Sequence, residues 1–202
     1  MTERTSLFYL CTPNSPTGGL LDSDDLRLAA NTVPSQCLLM VDEAYHEFAN
    51  YEGGPDVLSI LAERQGPWVV VRTFSKAYGL SGTRLGYALL SDDQLASGFS
   101  KMRSGFNVNR IALAGACAAM QDQAYLDHVL SVVSSERDRL TNRMTGLGLS
   151  VYPSAANFVL ARSAAPAQAL AAHLAAHDIM IQALPWPDEL GSIRVTVGIR
   201  AH

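Results

Sequence analysis

Residues 68–90 read WVVVRTFSKAYGLSGTRLGYALL, and the fold of the chain follows from how this stretch divides. Residues 68–71 are continuously apolar, the character of a strand buried on both faces of a parallel sheet. Residues 85–90 make a further strand. Between them lies a loop of hydroxyls, a lysine, small residues and an arginine, from Arg72 through Lys76 to Arg84. A buried strand that opens into so polar a loop places that loop at the rim of a sheet, where ligands bind in open α/β folds.

Two other short apolar runs, residues 7–11 and 37–41, repeat the pattern on the N-terminal side. Helical patterns at 23–30 and 57–65 separate the runs, the first capped by Asp22 or Ser23, the second carrying Leu58 and Leu61 on one face. Strands alternating with helices predict βαβ units. Each apolar run also ends in chemistry: Thr12-Pro13-Asn14-Ser15-Pro16-Thr17-Gly18-Gly19 after the first, Asp42-Glu43-Ala44-Tyr45 after the second, and the lysine loop after the third.

On the C-terminal side the character changes. Helical stretches at 92–102 and 109–120 lead into a long amphipathic pattern from Tyr125 to about Leu147, with Leu126, Val129, Leu130, Val133, Leu140 and Met144 at helical spacing. Gly146 or Gly148 ends it. Strands are expected at 149–152, 157–160, 180–181 and 193–197, with an alanine-rich helix at 165–176. The fold class expected is therefore α/β: a mostly parallel sheet with helices on both faces in residues 1–120, a connecting helix at 121–148, and a small α+β unit at 149–202.

Composition narrows the function. With 48% hydrophobic and 17% charged residues among 202, the chain has ordinary globular usage and enough length for a proper core. A formal charge of −4, a pI near 5.7 and no lysine- or arginine-rich run argue against nucleic acid or an acidic membrane surface as partner. Cys11, Cys37 and Cys117 are widely spaced with no CxxC pair, which suits a reducing compartment. The first residues lack the pattern of a signal peptide, and the longest apolar run, 111–120, is too short to cross a bilayer. A cytoplasmic protein is expected. His173 and His177 stand four apart on a helical pattern but lack the glutamate of an HExxH site, and no metal is expected.

Taken singly, a Pro-Thr-Gly turn, an acid after a strand and a lysine in a loop are all ordinary. Together they are what a heteroaromatic aldehyde phosphate requires: an amine to form a Schiff base, a carboxylate to keep a pyridine nitrogen protonated, a phenol, and hydroxyls with an arginine for the phosphate. The segments PNSPTG (13–18), VDEAYHEF (41–48), TFSKAYGLSGTRLGY (73–87), FNVN (106–109), PSAANFVL (153–160) and IRVTVG (193–198) give the chain its family likeness. It resembles the fold-type I aminotransferases of class I/II, most closely the histidinol-phosphate aminotransferase branch. The joint occurrence of SKAYGLSGTRLGY and VDEAY is highly specific, and the motifs cover nearly the whole chain.

The resemblance implies pyridoxal 5'-phosphate as cofactor, with residues 1–120 as part of the large domain that binds it. Lys76, Asp42 and Tyr45 would be catalytic, Lys76 through the Schiff base, Asp42 at the ring nitrogen and Tyr45 at the ring's phenolic oxygen. Asn14 and Ser15 would approach that oxygen too. Thr73, Ser75 and Arg84 would hold the phosphate, and Arg194 the substrate carboxylate, with Gln182 beside it. The implied reaction moves an amino group from an amino acid or a histidinol-phosphate-like amine to a 2-oxo acid, with freed Lys76 as general base. A homodimer is implied as well.

Three departures qualify the likeness. Ser15 stands where the family has asparagine before Pro-Thr-Gly. Gln182 stands where the histidinol-phosphate branch carries arginine, which weakens the case for a phosphorylated substrate. Relative to the family, the chain begins midway through the large domain and stops soon after IRVTVG, so a truncated product, or a chain whose partner supplies the N-terminal half, is expected. A pyridoxal-phosphate-dependent decarboxylase of phosphorylated amino acids shares much of this motif set, and a catalytically inactive fragment is the reading from outside enzymology.

Overall fold

The computed structural model describes residues 1–2, 4–186 and 191–199. Four strands, β1 (Leu7–Cys11), β2 (Leu38–Asp42), β3 (Trp68–Thr73) and β4 (Gly86–Leu90), form a sheet in the order β1-β2-β3-β4. The first three are parallel and β4 returns antiparallel. Helices α1 (Ser23–Thr32), α2 (His46–Tyr51) and α3 (Val57–Ala62) connect the parallel strands, as βαβ units require. Alternation along the strands puts Phe8, Leu10, Leu39, Val41, Val70 and Leu89 on one face, where they pack against Leu26 and Ala30 of α1 and Val57, Ile60 and Leu61 of α3.

The opposite face differs from expectation at its edge. Val69 and Val70 of β3 are both fully buried, so that strand is covered on both sides as its apolar run predicts. β1 is not: Leu7 and Tyr9 are 49% and 52% exposed, because β1 is the edge of the sheet and nothing among the described residues covers this side of it. Side-chain caps fix where the helices start. Asp22 accepts from Asp24 and Asp25 N–H, and Asp56 from Ser59 N–H. The far end of α1 is closed from another helix's margin: buried Arg64 donates to the carbonyls of Ala30, Val33, Pro34 and Cys37 at 2.7 to 2.9 Å. The predicted helix over 57–65 stops at Ala62, and Arg64 leaves it to serve those carbonyls.

Beyond the sheet, Asp92, Asn109 and Asp122 cap α4 (Asp93–Met102), α5 (Arg110–Gln121) and α6 (Gln123–Gly146). At 24 residues, α6 is about 36 Å long. Its first half contributes Leu126 and Leu130 to a cluster with Tyr45, Phe48, Ala77, Ala156 and Phe158; its second half contributes Met144 to a separate one with Val159, Ala161 and Ile193. Arg137, midway, reaches the Ala156 carbonyl at 3.1 Å and Glu52 Oε1 at 2.5 Å.

The second cluster belongs to an antiparallel sheet in the order β5-β6-β8-β7, made of β5 (Ser150–Val151), β6 (Phe158–Arg162), β7 (Gln182–Ala183) and β8 (Ser192–Thr196), with α7 (Ala167–Ala175) against it. The short strand expected at 180–181 lies two residues later, where it can pair with β8, and Met180 is 82% exposed. Register aligns Leu160, Arg194 and Gln182 in one row. Residues 187–190 and 200–202 of the expected C-terminal unit lie outside the described residues.

Candidate active site

Asp42 is the last residue of β2, in register with Cys11 of β1 and Val71 of β3. The ladder runs one step further on each side, Thr12 N–H to Asp42 O at 3.0 Å and Glu43 N–H to Val71 O at 2.9 Å, so the three loops leave the sheet side by side. Asp42 Oδ1 accepts from Ala44 N–H at 2.9 Å, and Oδ2 accepts from the Tyr9 hydroxyl at 2.5 Å. Partial desolvation of the hydroxyl, together with this bond to Asp42, raises the Tyr9 phenol well above the ordinary tyrosine range. Burial also pushes the nearby Cys11 thiol up.

The lysine loop closes on itself. Thr73 Oγ1 accepts from Ser75 N–H at 3.1 Å and lies 3.0 Å from Ser75 Oγ, while Gly79 N–H reaches Lys76 O and Leu80 N–H reaches Phe74 O. Gly79 has a φ of 68°, a left-handed conformation that glycine adopts without strain. Phe74 packs against Tyr78 and Tyr87 at 5.2 and 5.6 Å between ring centroids, which anchors the loop's base. Lys76 Nζ then stands 5.2 Å from the centroid of the Tyr45 ring, and among the described residues it makes no hydrogen bond or ion pair.

Tyr45 joins the two sheets. Its ring meets Phe158 of β6 edge-on at 5.2 Å, and its hydroxyl accepts from Arg194 Nη2 at 3.3 Å. The Arg194 guanidinium lies 3.9 Å over the Phe158 ring, its Nη1 is 3.4 Å from Gln182 Oε1, and its buried Nε has no hydrogen-bond partner among the described residues. The structure thus gathers Lys76, Tyr45, Arg194 and Gln182 into one continuous set, with Asp42 and the Thr73–Ser75 pair on the adjoining strand ends.

The remaining predicted residues are placed less closely. Asn14 Nδ2 donates to Thr17 Oγ1 at 2.7 Å, inside its own turn, and Ser15 is exposed. Arg84, also exposed, has a left-handed φ of 54° and donates to the Ser81 carbonyl at 3.0 Å rather than to the Thr73–Ser75 pair. Two features escaped the sequence reading. Tyr9 shares with Asp42 the face of alternate residues, a signal available once parallel pairing is assumed. The ion pair of Glu43 with Arg72, each next to a residue already singled out, left no mark of its own. Among the described residues no group of three or more His, Cys, Asp or Glu gathers as a metal would require, and no helix is long and apolar enough to cross a membrane.

The model of the family aminotransferase class I and II matches residues 1–201. The chain is 40% identical over 192 residues to histidinol-phosphate aminotransferase 2 of Caulobacter vibrioides, covering 95% of this chain and 50% of that protein. It is 38% identical over 201 residues to the histidinol-phosphate aminotransferase of Roseobacter denitrificans, covering 98% of this chain and 55% of the relative. The crystal structure of histidinol-phosphate aminotransferase from Sinorhizobium meliloti in complex with pyridoxal-5'-phosphate superposes with a TM-score of 0.86 at 34% identity, over 95% of this chain and 52% of that one. The chain spans about half the length of the curated relatives it matches.

Proposed function

The chain belongs to the class I and II aminotransferases, and on that premise we propose that it binds pyridoxal 5'-phosphate at Lys76 and moves an amino group between a small amine and a 2-oxo acid. The observation that carries this reading is the Lys76 ammonium itself, held 5.2 Å from the Tyr45 ring without a hydrogen-bonding partner among the described residues. A lysine fixed beside an aromatic face and left unpaired fits an aldehyde that takes its amine. The donor set around it fits the same group. Asp42 sits at the adjacent strand end, Thr73 and Ser75 present paired hydroxyls, and Arg194 keeps a buried Nε with no partner among the described residues.

When bound, the cofactor supplies an electron sink for the carbon that bears the substrate's amine. Lys76 Nζ would hold it covalently and, when free, would serve as the base that moves a proton. Asp42 would favour the charged form of the ring nitrogen. Tyr45 would meet the ring's phenolic oxygen, with Asn14 and Ser15 approaching it from the neighbouring turn. Thr73 and Ser75 would bind the phosphate, with Arg84 as the cation of the same loop. Arg194 presents a planar fork to two carboxylate oxygens, and Gln182 holds one arm of it.

The substrate class is an amino acid or a histidinol-phosphate-like amine. The relatives are named for the second, while the uncharged Gln182 beside Arg194 favours the first. We read residues 1–120 as the cofactor-binding unit, 121–148 as the link and 149–202 as the small unit, in a cytoplasmic enzyme that works as a homodimer or with a partner. The test is a visible spectrum of the purified chain titrated with pyridoxal phosphate, before and after borohydride. A band that borohydride fixes on Lys76 and that Lys76→Ala abolishes is the expected result. A folded chain with no band would make it an inert piece of the fold.

A further inference from the structure

Behind the sheet lies an ion pair that none of these roles uses. Glu43 follows Asp42 directly and Arg72 directly precedes Thr73. Neighbours along a strand point to opposite faces, so Glu43 and Arg72 lie behind the strand ends whose front carries Asp42 and Thr73. Arg72 donates to Glu43 Oε2 from Nε at 2.8 Å and from Nη2 at 2.7 Å. The glutamate side chain is only 3% exposed and the arginine 12%, so water screens the pair little. His46 Nδ1 lies 3.3 Å from the other carboxylate oxygen, and a cavity of about 240 Å³ beside the pair is lined by Glu47, Tyr78 and Tyr87.

Stability alone is a weak reason for this arrangement, because desolvating two charges commonly offsets their attraction, and packed apolar side chains serve a sheet as well. What the pair does provide is a short, directional tie between the end of β2 and the end of β3. We infer that Glu43 and Arg72 are positioning residues: their ion pair sets how far the Asp42 carboxylate stands from the loop that carries Lys76. The inference rests on the assignment of Asp42 and Lys76 as the cofactor's acid and amine. A displacement of about 1 Å between such groups is enough to cost on the order of a hundredfold in reactivity.

Two variants and two readouts test it. Glu43→Ala removes the tie but leaves Arg72 charged and buried; Glu43→Ala/Arg72→Met removes both charges and guards against a variant that merely unfolds. In the chain without cofactor, amide hydrogen exchange at Ala44, Gly79 and Leu80 is expected to quicken about tenfold in both variants, with Val41 and Val70 as protected as in the wild type. With pyridoxal phosphate, total uptake is expected to change less than about twofold, while the share that borohydride fixes on Lys76 falls about tenfold. Unchanged exchange at the three loop amides, uniform acceleration through the double variant, or an unchanged fixed share would overturn the inference. A wild-type chain that takes up no pyridoxal phosphate would instead sink the cofactor assignment, and the exchange measurement would then decide the tie alone.

Discussion

At the scale of single residues, the site depends on which polar atoms are committed and which are free. Tyr9 is committed to Asp42, and its phenol is held in the protonated state by partial desolvation of the hydroxyl and by that carboxylate. Because its folded pKa is raised, its stabilising effect is complete below the ordinary tyrosine range and is lost as pH climbs past it. Tyr9→Phe should therefore narrow the gap in stability between neutral and strongly alkaline solution, and ultraviolet titration should lose one tyrosine that ionises after the rest. A titration that still contains this late phenol in Tyr9→Phe would contradict the assignment. The sequence made Lys76, Asp42 and Tyr45 legible as candidates because each lies at the end of a strand or within a few residues of it. It did not make the direction of Arg84 legible, since a left-handed φ and a bond to Ser81 depend on how the loop closes.

At the scale of elements, helix starts were readable at Asp22, Asp92 and Asn109, whose side chains cap, whereas the amphipathic pattern read from Tyr125 begins two residues earlier behind Asp122. Helix α2 was not readable, because its N-cap residue Tyr45 makes no side-chain capping bond and the helix has only six residues, too few for a clear period. Strand β7 was misplaced because Met180 and Ile181 look more strand-like than Gln182, yet cross-strand pairing with Arg194 and Ile193 decides the position. The end of α1 is likewise beyond local reading: the carbonyls of Ala30 and its C-cap Val33 are met by Arg64, 34 and 31 residues away in sequence. Arg64→Met should cost on the order of 3 kcal/mol, since several buried carbonyls would lose their donor. A urea transition moved to lower concentration with an unchanged slope checks this, and a midpoint equal to that of wild type would refute it.

At the scale of the whole molecule, Arg137 ties three segments: α6, the residue after α2, and the approach to β6. Burial alone would raise the Glu52 carboxyl, but hydrogen bonds from Arg137 and Ser134 outweigh it and hold the pKa below the usual glutamate value. The sign follows. A depressed folded pKa stabilises above the unfolded value of about 4.3 and loses that effect as pH falls through the folded one. Glu52→Gln should be less stable than wild type by on the order of 2 kcal/mol at neutral pH, because Arg137 stays buried without its acid. The difference should shrink in strong acid, as denaturant titrations at both pH values would reveal; an equal deficit at both would exclude Glu52 as the titrating partner.

The Tyr45 side chain has its own consequence at this scale. One ring offers its face to Lys76 and its oxygen to Arg194, so two centres on different sheets share a single wall. On the proposed roles, an anion that drew Arg194 away would release that oxygen and change the lysine's surroundings. Thermodynamic reciprocity would then oblige occupancy at the lysine to alter the arginine's grip by the same factor, so that each ligand would register the other.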